Sequence, residues 1–227
     1  MAVVEATRVL ESRSKRRDPL YRSVTAVALA TCGAMRWRPT IIGEEHIPAA
    51  GPGVIAVNHV GYLDFVFVGF GARRRHRLVR FMAMQEAFNH WLGGPLLRGM
   101  RHIPVDRKGD PAAALDGAIE ALRSGEIVGI HPEGAVNASM SLGPCKTGAA
   151  RMALATRAPL IPAAVWGSHR LLAKGVRPRL PRNVPVTVSF GAPIDPTDDE
   201  SPVDLTERLR HGISELWRDA ILSYPQG

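Results

Sequence analysis

The stretch GVIAVNHVGYLD, residues 53–64, joins an apolar run to a polar turn and then to the start of another apolar segment. Residues 54–57 contain no polar side chain, which is typical of a strand buried on both faces of a sheet. A helical pattern follows, predicted over residues 64–70. Because polar side chains follow a buried strand here, His59 and Asp64 are the first candidates for chemistry.

Strand and helix patterns alternate on both sides of this stretch. A short strand is predicted after Pro39, and further strands are predicted at 79–84, 103–105, 127–130, 160–165 and 184–190. Helices are predicted at 86–97, 111–123, 146–157 and 204–223. This alternation predicts an α/β fold, with a single domain whose central, largely parallel or mixed sheet is flanked by helices. We predict that residues 39–227 form this domain and that residues 1–38 form a basic, amphipathic N-terminal helical segment that associates with a membrane.

Length and composition limit the classes of protein that fit. A chain of 227 residues with 45% hydrophobic and 22% charged residues builds one sizeable core, which excludes wholesale disorder and a multi-spanning membrane protein. The apolar stretch 23–35 is too short to cross a bilayer as a helix. The two isolated cysteines, Cys32 and Cys145, offer neither a disulfide framework nor a cysteine zinc cluster, so a reducing cytoplasm is expected.

The formal net charge of +8 predicts an anionic partner, either nucleic acid, anionic lipid or a phosphorylated metabolite. Residues 1–38 carry eight basic and three acidic side chains, and residues 73–107 carry eight basic and two acidic ones. Beside the apolar stretch, the first excess favours an anionic membrane surface, although a helix packed on the domain with a solvated basic face fits equally well. Aromatic residues do not interleave with the basic run 73–77, so we expect no nucleic-acid partner.

The pair His59 and Asp64 suits general base catalysis. A turn through Gly61 would fold the carboxylate back onto the imidazole, fixing its tautomer and stabilising the imidazolium that forms. The plainer alternative is a surface histidine, with Asp64 capping the helix.

Two later stretches also place polar residues beside predicted strands. Residues 99–107 include Arg101, His102 and Arg107, and guanidinium groups bind phosphate through paired hydrogen bonds, although a basic edge strand has the same pattern. The stretch His131-Pro-Glu133-Gly134 follows the strand at 127–130, where ligand sites of parallel sheets usually lie. No partner with metal-ligand spacing accompanies it, so no metal is expected.

Taken in order, these blocks resemble the motifs of the glycerolipid acyltransferases, in which an H-x4-D block precedes G-x-F-x-x-R, then F-P-E-G-T-R with K-x-G-A, then V-P-V. The resemblance covers about residues 40–195. The residues that carry it are Asn58, His59, Asp64, Gly99, Arg107, Pro132, Glu133, Gly134, Lys146, Gly148, Ala149 and Pro162.

The resemblance implies transfer of an acyl group from a thioester, on coenzyme A or acyl carrier protein, to 1-acylglycerol 3-phosphate. It implies that His59 deprotonates the acceptor hydroxyl and that Asp64 holds His59. The residues expected at the substrates are Asn58, Arg101, Arg107, Glu133, Gly134, Lys146 and Pro162. No cofactor beyond the thioester substrate is expected, and the enzyme is expected at the cytoplasmic face of the cell membrane as a peripheral protein.

Two departures from the family pattern leave alternatives open. Ala135 and Val136 stand where threonine and arginine are usual, so Arg101, His102 or Arg151 is a candidate for the acceptor phosphate. The alternative acceptors are glycerol 3-phosphate, another lysophospholipid and a glycolipid. In a different class, the chain would be a basic membrane- or nucleic-acid-binding protein without catalysis.

Overall fold

A computed structural model of the protein describes residues 18–91, 93–106, 109–110, 113–137, 142–172 and 181–224. Seven strands form one sheet: β1 Arg38–Ile42, β2 Gly53–Val57, β3 Val79–Met84, β4 Ile103–Val105, β5 Ile127–Ile130, β6 Leu160–Trp166 and β7 Pro185–Phe190. Their order is β1-β7-β6-β2-β5-β3-β4. The β6–β7 pair is antiparallel and the other neighbours are parallel, which confirms the prediction of a mixed sheet.

Helices cover both faces of the sheet: α1 Pro19–Met35, α2 Asp64–Arg74, α3 Gln85–Phe88, α4 Gly93–Gly99, α5 Ala113–Arg123, α6 Gly148–Thr156 and α7 Pro202–Leu222. All five residues of β2 are buried, and they alternate between two cores. Ile55 and Val57 pack in the core that includes residues of α1 and α2, whereas Val54 and Ala56 pack in the core that includes residues of α5, α6 and α7. Alternate side chains of β2 therefore pack into the cores on the two faces of the sheet, as expected for a central strand.

Helix α1 is attached to the sheet by polar contacts at its first turn. The Tyr21 hydroxyl donates to the Val79 carbonyl at 3.1 Å. Arg80, only 4% exposed, pairs through its guanidinium with Asp18 and Glu126, each at 2.6 Å. The outer face of α1 keeps apolar side chains in solvent, with Leu20 39% and Val27 66% exposed. None of the helices within the described ranges is long and apolar enough to span a membrane.

The prediction of one helix over residues 86–97 is wrong, because the chain forms two short helices there, α3 and α4. At the start of α4, the Gly94 N–H donates to the His90 carbonyl at 2.8 Å. A Cβ at Gly94 would lie 2.1 Å from the Phe88 carbonyl oxygen, so only glycine allows this approach.

The parallel strands β2, β5 and β6 end at one edge of the sheet, the carboxyl edge. The residues that follow them are His59 after β2, the 131–134 segment after β5 and Ser168 after β6. Ligand sites of open α/β sheets lie at this edge. The topology therefore brings together side chains from three distant parts of the sequence.

Candidate active site

The predicted pairing of His59 with Asp64 is present. Nδ1 of His59 lies 2.9 Å from Oδ2 of Asp64, so Nδ1–H donates to the carboxylate and Nε2 keeps the lone pair. The His59 side chain is 18% exposed, whereas the Asp64 side chain is fully buried. A neutral imidazole with an accessible Nε2 is suited to accept a proton.

The Asp64 carboxylate is fully satisfied by hydrogen bonds. Oδ2 also accepts the backbone N–H groups of Val60 at 2.9 Å and Gly61 at 3.0 Å, and Oδ1 accepts the hydroxyl of Ser168. Asp64 is the first residue of α2, where the helix dipole also stabilises a negative charge. These contacts fix the direction from which Asp64 holds the His59 ring. Ser168 was missed by the sequence analysis, and its one signal was its place directly after the buried strand β6.

Glu133 holds the backbone at His59. Its Oε1 accepts the His59 N–H at 2.9 Å, and its Oε2 accepts the Asn137 amide at 2.6 Å and the Gly143 N–H at 3.0 Å. The Asn137 N–H in turn donates to the His59 carbonyl at 2.7 Å. The carboxylate is therefore used within the protein, an arrangement suited to shaping the site.

His131 lies directly against the His59 ring, a position that the sequence did not predict. The ring centroids of His131 and His59 are 3.8 Å apart and the ring planes differ by 14°. Burial, followed by the nearby charge of His59, lowers the pKa of His131 to about 4. The His131 ring is therefore neutral near pH 7.

Gly134 and Lys146 meet beside this segment. Gly134 has a φ of +74°, and a Cβ at this position would lie 3.3 Å from Nζ of Lys146. The Lys146 N–H donates to the Pro132 carbonyl at 2.9 Å, which fixes its backbone next to the segment that binds His59. The Lys146 side chain is exposed, so its ammonium is available to an anionic substrate.

Asn58 and Pro162 have packing roles in the structure, so we revise their prediction as substrate-binding residues. The buried Asn58 carboxamide donates to the Val165 carbonyl at 3.0 Å and accepts the Val165 N–H at 2.7 Å, which joins the end of β2 to β6. Pro162 is buried on the face of β6 towards α7, where a Cβ at Gly212 would lie 3.2 Å from its ring. Both side chains are occupied by the protein itself.

Arg101 and His102 also lie elsewhere than predicted. Arg101 precedes β4, at the amino edge of the sheet, and its guanidinium pairs with Glu126 at 3.0 Å. The buried His102 accepts the Phe81 N–H through Nδ1 at 2.9 Å. Their positive charge and their motif therefore did not predict a phosphate contact correctly, because Arg101 pairs with Glu126 and His102 is buried in the core.

Arg107 lies outside the described residues, so its predicted contact with the acceptor phosphate stays a prediction. Arg151 is exposed on α6. Lys146 is thus the predicted phosphate-binding residue that the structure places next to the segment holding His59.

His59, Asp64 and His131 offer nitrogen and oxygen atoms within 4.8 Å of one another, as in some metal sites. The donor geometry does not fit an ion, however. Nδ1 of each ring is used in a hydrogen bond within the protein, and both Asp64 oxygens already accept hydrogen bonds.

Comparisons with known proteins point to one family. The family model described as Acyltransferase matches residues 38–166. The 1-acyl-sn-glycerol-3-phosphate acyltransferase of Bacillus subtilis is 31% identical over 201 residues, which make up 84% of this chain and 94% of that protein. A protein of the same name from Limnanthes alba is 34% identical over 166 residues, which make up 70% of this chain and 55% of the plant protein.

A solved structure shares the fold. The crystal structure of PlsC from Thermotoga maritima, a 1-acyl-sn-glycerophosphate acyltransferase, superposes with a TM-score of 0.71 at 21% sequence identity. The match covers 97% of this chain and 81% of that one.

Proposed function

Because this chain belongs to the acyltransferase family, we propose that it transfers a fatty acyl group from an acyl thioester to the free hydroxyl of 1-acylglycerol 3-phosphate. The donor is coenzyme A or acyl carrier protein, and the product is phosphatidic acid. The names of the relatives support this acceptor. The observation that carries the proposal is the His59–Asp64 pair, in which a fully bonded carboxylate leaves Nε2 of His59 as a base.

The proposed reaction uses this pair directly. Nε2 of His59 takes the proton from the acceptor hydroxyl as its oxygen attacks the thioester carbonyl. The imidazolium that forms keeps its Nδ1–H bond to the Asp64 carboxylate, which stabilises the new positive charge. When the tetrahedral intermediate collapses, the carbon–sulfur bond breaks and the proton passes from His59 to the thiolate. The thiol and the acylated product then leave.

Lys146 is the proposed contact for the acceptor phosphate among the described residues. Its exposed ammonium lies beside Gly134, in the segment whose Glu133 binds the His59 N–H. A lysine is a point charge that binds phosphate without the paired geometry of an arginine. Because Val136 stands where the family usually has an arginine, the second candidate acceptor is glycerol 3-phosphate, another lysophospholipid or a glycolipid.

A panel of donors and acceptors tests the proposal. The purified protein is incubated with acyl-coenzyme A or acyl carrier protein and each acceptor, and the released thiol is measured. We expect the highest kcat/KM with 1-acylglycerol 3-phosphate, and a loss of at least about 100-fold in His59→Ala. Lys146→Ala is expected to raise KM for phosphorylated acceptors, whereas Arg123→Ala removes the same charge from the last turn of α5, which precedes β5 and so lies at the amino edge of the sheet, and serves as its control.

The outcomes separate the parts of the proposal. Preference for another acceptor would correct the substrate while leaving acyl transfer intact. Absence of thiol release from every pair of substrates would overturn the proposed function as a whole, as would a His59→Ala variant with full activity.

We also propose that the protein binds an anionic membrane surface through α1 and the cleft beside it. The basic cleft has a volume of about 690 Å³ between α1 and α2, and five of its lining residues are Arg22, Arg73, Arg74, His76 and Arg77. No acidic side chain of the described ranges lines it. The apolar outer face of α1 next to these cations suits a bilayer surface with acidic headgroups.

A further inference from the structure

The catalytic imidazole is one end of a short column of stacked rings. The His59 and His131 centroids are 3.8 Å apart at an angle of 14°, and the His131 and Phe81 centroids are 5.9 Å apart at 23°. At 3.8 Å the first two rings are in van der Waals contact, so one face of His59 is covered by His131.

The His131 ring is itself anchored to the backbone that leads to His59. Its Nδ1 lies 3.1 Å from the carbonyl oxygens of both Val57 and Asn58, the last residue of β2 and the residue after it. Carbonyl oxygens only accept, so Nδ1 carries the proton. One side chain from the end of β5 thus bonds the end of β2 and covers the ring of the next residue.

The groups around His59 give its two charge states different environments. The Asp64 carboxylate bonds Nδ1, the Glu133 carboxylate bonds the backbone N–H, and His131 covers a ring face. The face of a neutral aromatic ring attracts a cation. The imidazolium formed during acyl transfer would therefore gain from the contact, provided that His131 stays neutral, as its low pKa requires.

We propose that His131 is a positioning residue whose neutral ring holds the plane of His59 and stabilises its imidazolium by stacking. This inference rests on the proposed function of His59 as the base. His131 transfers no proton in this account, and its hydrogen bonds to Val57 and Asn58 serve to place the ring.

Two substitutions separate the ring from its hydrogen bonds. His131→Phe keeps an aromatic face and loses the Nδ1 donor, whereas His131→Asn keeps an amide donor near the Nδ1 position and loses the ring. We expect the phenylalanine variant to stay within about threefold of the parent in kcat. The asparagine variant should lose about 10- to 100-fold in kcat, with a much smaller change in acceptor KM, because misdirection of the base affects the chemical step.

A second measurement does not depend on turnover. The pKa of His59, followed by NMR without substrate, should match the parent in His131→Phe and fall in His131→Asn, since the imidazolium loses its aromatic face. Thermal unfolding shows whether each variant folds, and His131→Leu replaces the asparagine variant if that one does not. If the parent shows no thioester turnover, the proposed function fails while the NMR comparison still tests the stacking.

Several outcomes would overturn the proposal. An active asparagine variant beside an inactive phenylalanine variant would assign the role to the hydrogen bonds. Loss in both variants to the level of His59→Ala would make His131 a reacting group. A His59 pKa that is unchanged or raised in His131→Asn would show that the ring does not stabilise the imidazolium.

Discussion

The carboxyl edge of the sheet and the basic cleft hold charged side chains in opposite ways. At the carboxyl edge Asp64 is fully buried and accepts four hydrogen bonds, so the direction of its carboxylate is fixed. In the basic cleft Arg22 and Arg73 are exposed and have no acidic partner within the described ranges. Proton transfer depends on the direction of a hydrogen bond, whereas attraction to an anionic surface depends mainly on charge.

The largest effect that this comparison predicts is on activity in Asp64→Asn. The amide is uncharged and cannot stabilise the His59 imidazolium, so kcat should fall by about 100-fold or more. The measurement is thiol release at saturating acceptor, with thermal unfolding as the check on folding. Ser168→Ala removes one of the four donors and should lower kcat much less. Equal losses in the two variants would show that the hydroxyl, and not the charge, is the critical part.

A second prediction concerns the stability of the core between the two regions, where His102 contacts Tyr21, Phe65 and Phe81. Burial, followed by the charge of Arg80, lowers the pKa of His102 to about 4. Histidine in the unfolded chain titrates near 6.5, so on acidification the unfolded state takes up the proton first. The free energy of unfolding is therefore highest above about pH 6.5 and falls as the pH decreases towards about 4.

The expected contribution of His102 over this interval is of the order of 2 to 3 kcal/mol. Urea unfolding at several pH values measures it, and His102→Asn, which keeps an acceptor for the Phe81 N–H, should flatten the dependence. Substitution of the exposed His211 by asparagine is the control. An unchanged slope in His102→Asn would mean that the folded protein protonates His102 as readily as the unfolded chain does.

The smallest predicted effect lies in the basic cleft. Replacing Arg22 and Arg73 by serine should weaken binding to vesicles of acidic phospholipid by about fivefold for each arginine, because each contributes about 1 kcal/mol near the surface. The effect should shrink at high salt and be absent with phosphatidylcholine alone. Arg208 and Arg210, which pair with Glu200 and Glu207, provide a control of equal charge when replaced by serine. Equal weakening in both double variants would assign the binding to net charge alone.

The sequence predicted the features that depend on local patterns. The strands at 79–84, 103–105 and 127–130 have the predicted bounds, because each is a mostly apolar run between turns. His59 and Asp64 were found because they are five positions apart and a single turn brings them together. The prediction of one helix over residues 86–97 was wrong because its apolar pattern does not reveal the close approach of Gly94 to the Phe88 carbonyl.

The contacts that the sequence did not predict join distant segments. Ser168 bonds Asp64 across 104 positions, and His131 reaches the Val57 carbonyl across 74. Neither has a spacing signal, because the sheet order β6-β2-β5 is what brings them together. Arg101 shows the converse. Its motif predicted a contact with the substrate phosphate, but its guanidinium pairs with the Glu126 carboxylate.

The buried pairing of Arg80 with Asp18 and Glu126 also has a consequence for biosynthesis. Asp18 leaves the ribosome long before Glu126, since synthesis proceeds from the N-terminus and 108 positions separate the two. Until Glu126 has emerged, the site on which α1 docks is incomplete, and the apolar side chains that later pack inward stay uncovered. During that interval the anchor of α1 on Arg80 consists of the Asp18 contact alone, so the docking of α1 is completed only after the start of β5 has been made.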